Sequence, residues 1–522
     1  MPLQSRNPTW SAIVGRWIRL SSVAVALMLA SCAVGPDYQR PSTLIPGKYL
    51  PQAGDKAAQS IAPAAADLTE WWRILKDGEL DSLVARTRES NLDLAIALDR
   101  LQEARTGITI AASQGLPVAG ATGGGGGGTG SDETKGRVSQ ALRSAENAQN
   151  LNSINEAGGF DANWELDLLG KFRREVEART ADTEALKDAR DWAIVTVAAD
   201  VARYYLDMRA QQRQLVVLGQ DIAAARGNMD LAQRRLSQGL TNAIDVSLAQ
   251  RQLETLQADR APLVAQIDAS RNAVSVLLGR FPEDLVNELA KPGAIPALPA
   301  KIEVGQPIDL LRRRPDIREA ERRVAAANAR IGVATADLFP TVILSGAVGA
   351  QGGIRSSSAV PITWIGSLGP SLYMPLLDFG ALDAQIEIAD LQTHEALLAY
   401  KQSILMAVQE VDDANAAYQA QLVRLKSLDR ALAAARQATQ TAIERYDRGL
   451  TDFLNVLDAE RQEYDLEARH VATRQAAADD LVALYKALGG GWILNEPIPP
   501  IRTPRPAAIA AAKYLMAPAQ IH

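Results

Sequence analysis

Few residues of this 522-residue chain could do covalent chemistry. Its one cysteine, Cys32, closes the run Leu29-Ala30-Ser31-Cys32, behind an apolar stretch from Val23 to Leu29 that Arg6, Arg16 and Arg19 precede. That stretch is too short to span a bilayer, so residues 1–31 read as an export signal. Cleavage before Cys32 would free its thiol for a diacylglyceryl group, the chemistry of a bacterial lipoprotein box. Ala33 follows rather than Asp, which in such signals favours the outer membrane. One lipid site anchors a protein; by itself it makes no channel. A lone cysteine also excludes an internal disulfide and any cysteine-based zinc site.

The remaining candidates for chemistry are weaker. His394, His470 and His522 are arranged neither as metal ligands nor as part of a triad. The run Gly123–Gly128 satisfies a dinucleotide pattern only trivially, with no helix start and no Walker lysine-serine pair after it. The sequence therefore predicts no enzyme, no metal and no cofactor beyond a covalent lipid on Cys32. A formal net charge of −6 gives no reason to expect nucleic acid. Hydrophobic residues make up 47% of the chain but aromatics only 5%, which suits long helices packed in thin layers.

The elements that must carry any site come in two copies. Arg235, Gly239, Leu240, Thr241, Val246, Ala249 and Arg251 recur 210 positions later as Arg445, Gly449, Leu450, Thr451, Val456, Ala459 and Arg461. At a spacing of 223, Asp93, Ala97, Arg100, Ile108 and Pro117 recur as Asp316, Ala320, Arg323, Ile331 and Pro340. A period this long is a duplicated half-protein rather than a solenoid unit. Each copy orders its parts alike: helix, strand, loop, strand, very long helix, tight turn, long helix. The helices are predicted from Leu80 to about Gln114, Arg173 to about Ser237, and Ile244 to Leu278. In the second copy they run from Ile308 to Leu338, Leu382 to Arg448, and Phe453 to Leu488. The division is then signal 1–31, an extended anchored segment 32–70, a first repeat 71–281, a linker 282–307, a second repeat 308–495 and a Pro- and Ala-rich tail 496–522.

No Gly or Pro interrupts the chain between Ala381 and Arg448, a rod on the order of 100 Å at 1.5 Å per residue. Leu422, Leu425, Leu428 and Leu432 give it the spacing of a coiled-coil seam. The strands alternate. Phe160, Ala162, Trp164, Leu166 and Leu168 interleave with Asp161, Asn163, Glu165 and Asp167; Val342, Leu344 and Val348 with Thr341, Ser345 and Gly349; Ile362, Trp364, Leu368, Leu372 and Met374 with Thr363, Ser367, Ser371 and Tyr373. A strand of about ten residues with one apolar and one polar face suits a tilted membrane-spanning strand in an exported protein. The first strand, from Val118 through the glycine run, could equally be a loop.

Four strands cannot close on themselves. Open sheet edges are unsatisfied in hydrocarbon, so a membrane sheet must form a complete barrel. Two copies would supply eight strands and three would supply twelve. A barrel of about eight strands is filled by side chains, so three copies are the better choice for a conducting object.

Several stretches carry a family resemblance. They are Trp71-Trp72 with Asn91, Asp93 and Leu94; Leu310 to Arg318 with Ala320-Glu321; Asn328 through Pro340; and Leu484 to Trp492. In these the chain resembles the TolC-type outer membrane factors, specifically the efflux lipoproteins of the OprM/NodT type. The resemblance implies a homotrimeric, twelve-stranded outer-membrane β-barrel, four strands per protomer, continuing as a periplasmic α-helical coiled-coil barrel, a membrane α/β fold with internal duplication. It implies a passive exit duct for small molecules, served by an inner-membrane pump of the RND type and a periplasmic adaptor. Export of protein or polysaccharide is the alternative within transport. A non-conducting coiled-coil envelope scaffold would leave the alternating strands unexplained.

Gly239 and Gly449 fall where each long helix ends, and glycine permits the left-handed cap that reverses the chain. By resemblance these turns, Gly239-Leu240-Thr241 and Gly449-Leu450-Thr451, receive the adaptor and close the tube at rest. The family's gate sets an acidic residue against a tyrosine, here Asp245 and Tyr446. Its two acidic residues inside the mouth match Asn455 and Asp458, of which only Asp458 keeps the carboxylate. A basic gate residue falls at Thr451, a second departure. Three copies of Asp458 about a threefold axis would form a ring of negative charge that favours cations.

Overall fold

The computed structural model describes residues 33–42, 49, 68–128, 153–300, 302, 304–355 and 358–493. The export signal, Cys32 with its lipid, most of the extended segment and the tail 496–522 lie outside the described residues. After a 3-10 segment, Leu68–Leu75, the order is α1 (Gly78–Ser90), α2 (Leu92–Gln114), β1 (Val118–Gly128), β2 (Ser153–Glu165), α3 (Lys171–Ser237), α4 (Ala243–Ala258) and α5 (Arg260–Leu277). The second copy runs α6 (Pro307–Arg313), α7 (Pro315–Ala336), β3 (Thr341–Arg355), β4 (Ser358–Tyr373), α8 (Ala381–Asp447) and α9 (Phe453–Ala487). The two long helices, α3 and α8, are each 67 residues.

The duplication reaches the backbone conformations that bound each element. The left-handed glycines that precede α3 and α8 are Gly170 and Gly380, and those that end α5 and α9 are Gly279 and Gly489. Both pairs stand 210 positions apart. Three helices expected as single rods are interrupted. The first breaks at Asn91, whose ψ of 131° is extended. Its copy 223 positions on, Arg314, is extended at ψ 115°, because the ring of Pro315 forbids the helical conformation before it. The third interruption, at Asp259, lies just ahead of Pro262, whose missing N–H and ring are tolerated only in the first turn of α5.

The chain forms two compact units. The first comprises Met1–Ile45, Glu103–Ala189 and Pro315–Met406. It contains an antiparallel sheet in the order β1-β2-β3-β4. The glycine run is a strand after all, paired from Val118↔Asn163 to Gly128↔Ser153. The strands hold 11, 13, 15 and 16 residues, longer than the expected ten, and β2 ends before Leu166 and Leu168. Register places Phe160, Val348 and Gly366 side by side, with Trp164, Leu344 and Pro370, and Gly346 with Leu368, on one face. Asp161, Ala347 and Ser367, and Asn163, Ser345 and Gly369, share the other. Val118, Ile343 and Ile365 are among the apolar residues there. On the apolar face Trp364, Leu368 and Leu372 are 70–81% exposed, which water would penalise and hydrocarbon would not. The one register shift, between Gln351 and Gly353, falls opposite Pro361, which has no N–H for a ladder.

The N-terminal segment is tied to this unit. Arg174 donates from Nε to the Val34 carbonyl (3.1 Å) and from Nη2 to Asp37 (2.7 Å). Tyr38 (3.0 Å) and Arg40 (2.8 Å) both donate to Glu321 of α7. Gly35, at φ +89°, passes so near Gly332 that a Cβ would meet the Gly332 Cα at 2.4 Å.

The second unit comprises Pro46–Gln102, Arg190–Arg314 and Ala407–His522. Its core joins Trp71, Trp72, Leu83, Tyr205, Leu278, Leu289, Tyr418 and Tyr485. Trp71 stacks on Tyr485 with centroids 4.9 Å apart. The predicted linker contributes Leu285 and Leu289 to this core. The leucine seam packs here through Leu422 and Leu425. The breaks at Asn91 and Arg314 dock alike: Asn91 Nδ2 donates to the Leu277 carbonyl (2.8 Å) and Arg314 Nη1 to the Ala487 carbonyl (3.0 Å). Leu277 and Ala487 are themselves 210 positions apart. Each break therefore caps the C-terminus of the returning helix of its own repeat.

Candidate functional site

Both predicted turns lie in the second unit and have one backbone geometry. Gly239 and Gly449 each adopt φ +72°. Gly239 N–H donates to Leu236 O (2.9 Å) and Leu240 N–H to Arg235 O (2.8 Å); Gly449 repeats this to Tyr446 O (2.9 Å) and Leu450 to Arg445 O (2.8 Å). This paired pattern satisfies the carbonyls that the last helical turn leaves without partners. Beyond the turns, Leu240, Ile244, Leu450 and Leu454 are 60–65% exposed and form matching apolar pairs at the two ends.

The side chains differ. At the first turn Asn242 caps α4, accepting from the N–H groups of Ile244 (2.8 Å) and Asp245 (3.3 Å). Asp452 holds the same place before α9 without a side-chain cap bond. Asp245 accepts a hydrogen bond from Thr241. The structure places Asp245 near Tyr446, whose hydroxyl is buried. Burial raises the Tyr446 phenol above its ordinary pKa and the nearby Asp245 carboxylate adds to the rise, against the opposing Thr241 hydroxyl and Arg235. The Tyr446 ring packs on Phe453, centroids 5.1 Å apart, in a cluster with Ala249 and Val456.

The two departures from the family's pattern partner each other: Asn455 Nδ2 donates to Thr451 Oγ1 at 2.8 Å. Asp458 is exposed, accepts from Gln462 Nε2 (2.7 Å) and lies 3.6 Å from Arg461. No hydrogen bond or ion pair among the described residues joins Asp458 to Asp245 or Tyr446.

Sequence reasoning missed a set of buried acids further along the hairpins. Asp221 of α3 faces Glu463 and Glu467 of α9, and burial with these like charges pushes its carboxyl up to about 7, with Arg436 of α8 opposing. Glu460 is 2% exposed; burial raises it to about 7 despite a hydrogen bond from Asn228. Arg436 pairs with Glu467 and lies 3.7 Å from Glu463. The available signal was an excess of carboxylates over bases along one helix. Among the described residues no group of His, Cys, Asp or Glu could hold a metal, and no helix is long and apolar enough to cross a membrane.

With sheet and hairpins in view, comparison with known proteins decides the family. The model of the outer membrane efflux protein family matches residues 83–280 and 307–490. The chain belongs to that family. Nodulation protein T of Rhizobium leguminosarum bv. viciae is 32% identical over 502 residues, covering 95% of this chain and 97% of that protein. Outer membrane protein OprJ of Pseudomonas aeruginosa is 30% identical, covering 91% and 96%. The solved outer-membrane channel OprN superposes with a TM-score of 0.76 at 33% identity, over 88% of this chain and all of that one. The Campylobacter jejuni channel CmeC, at 18% identity and a TM-score of 0.75, shares the fold. Members of this family are channels rather than enzymes. The chain is thus an outer-membrane efflux channel, the exit duct of an efflux system, extending into the periplasm.

Proposed function

We propose that three copies of this chain close a twelve-stranded barrel and act as the passive duct of a tripartite small-molecule efflux system. One observation carries the reading: the described residues form one four-stranded sheet, apolar on one face and polar on the other, with β1 and β4 left as open edges. In hydrocarbon those edges need partners, and copies of the same chain supply them. The polar face, with Asp161 and Asn163, then lines the lumen. A lipid on Cys32 anchors each copy in the outer membrane. The partners are a periplasmic adaptor, docking on Gly239-Leu240-Thr241 and Gly449-Leu450-Thr451, and an inner-membrane pump of the RND type.

The resting gate is the Asp245–Tyr446 contact. An adaptor that binds the open arrangement more tightly than the closed one shifts the population toward open, and no hydrolysis by this chain is required. Asp458 forms the carboxylate ring at the mouth. Because Asn455 and Thr451 bond to one another and bring no charge, block by multivalent cations is weaker than a double acidic ring would give. The test is conductance of the purified protein in planar bilayers. Asp458→Ala should relieve block by multivalent cations, and block unchanged in that variant removes the assignment.

A further inference from the structure

We infer that Arg235 is a positioning residue for the resting gate, latching the end of α8 to the first hairpin so that Tyr446 stays against Asp245. The inference rests on the gate reading above.

Arg235 sits in the last turn of α3 and reaches across to the other hairpin. Its Nη1 donates to the carbonyls of Tyr446 (2.8 Å) and Asp447 (3.1 Å). These are the final carbonyls of α8, at the negative end of the helix dipole, where a cation is favoured. The guanidinium carbon also lies 4.6 Å from the centroid of the Tyr446 ring, within cation–π range. Nη2 lies beside the second turn, where a Cβ on Gly449 would be in ordinary contact with it at 3.8 Å. One side chain thus holds the backbone of Tyr446 and Asp447 and the Tyr446 ring.

The duplication supplies an internal control. Arg445 is the repeat copy of Arg235, on an equivalent helix end before an equivalent turn, yet it is exposed. The tie therefore runs one way, from the first hairpin to the second. Moving the end of α8 away from α3 breaks two charge-assisted hydrogen bonds and the ring contact together. A lysine supplies the charge but neither the planar face nor the fixed geometry of its donors.

The experiment measures ion conductance of the purified full-length protein in planar bilayers without adaptor, alongside resistance of its oligomer to heat in detergent. Arg235→Met should raise conductance on the order of tenfold, as expected for losing two such bonds from the closed state. Arg445→Met should leave it unchanged, and Arg235→Lys should fall between. Wild-type conductance in Arg235→Met, while Tyr446→Phe opens the channel, overturns the latch and leaves the gate reading standing. Wild-type conductance in both overturns the latch together with the gate on which it rests. If Arg235→Met lowers the yield of heat-resistant oligomer, Arg235→Lys is decisive: an intermediate rise supports the latch and no rise overturns it.

Discussion

The two hairpin turns share a backbone and differ in almost every polar contact. Gly239 and Gly449 have the same φ, and their hydrogen bonds agree to the tenth of an ångström. Around them, Asn242 caps its helix and Asp452 does not, while Thr241 bonds an acid where Thr451 bonds an amide. Arg235 crosses to the neighbouring hairpin where Arg445 faces solvent. Chain reversal after a long helix admits few solutions, so duplication kept that solution in both copies. Side chains on a solvated tip carry no such constraint. The difference separates structure, which the copies share, from the proposed gate, which they do not.

The largest predicted effect sharpens this division at the opposite ends of the returning helices. Gly279 and Gly489 adopt the same left-handed conformation as the turn glycines, but within packed surroundings. A Cβ there would meet Ser90 O at 2.7 Å and Arg313 O at 3.0 Å, respectively. At Gly239 nothing lies within 4 Å. Gly239→Ala should cost about 1–2 kcal/mol for the backbone alone. Gly279→Ala and Gly489→Ala add overpacking of about 1–3 kcal/mol, read as a larger drop in unfolding temperature of the purified protein. Equal losses at all three positions would erase the distinction.

The buried acids test the comparison by pH. Glu460 of the second hairpin is buried, and its copy in the first, Gln250, is exposed and uncharged. A carboxyl raised to about 7 in the fold titrates near its ordinary value when unfolded. Its stabilising contribution is complete below about 4.5 and is lost as pH rises through about 7. The unfolding temperature should therefore fall over that window, and Glu460→Gln should flatten the fall while Gln250→Glu leaves it unaltered. A wild-type and Glu460→Gln pair with parallel pH profiles would show that this acid carries no such linkage.

The smallest effect concerns the caps. Asn242→Ala should destabilise by about 1 kcal/mol, the worth of an N-cap bond. Asp452→Ala removes no cap bond and should change little, measured as the shift in denaturation midpoint. If both variants shift alike, the side-chain difference between the turns is only apparent.

The turns and long helices were legible in the sequence because they depend on local chemistry: glycine after a helix, and the absence of Gly and Pro within one. The break at Arg314 was equally local, since Pro315 follows it. The break at Asn91 has no proline. Its cause is partly tertiary, through Leu277, although Asn91 also caps α2 by accepting from Leu94 N–H at 3.0 Å, a signal the sequence did carry. The glycine strand was ambiguous because glycine has no side chain to alternate, and only pairing with β2 decides it. At the tips, resemblance rather than spacing put Asp245 beside Tyr446. Arg235 escaped notice because its partners lie 211 and 212 positions away and its repeat copy looks identical in sequence.

The N-terminal strap has a consequence for timing. In the order of synthesis residues 34–40 precede Glu321, Asn328 and Gly332, on which they seat, by almost three hundred residues. That segment must wait, unseated, until the later stretch has followed. Fastening the leash therefore belongs among the last events of maturation, after the second repeat has crossed the inner membrane.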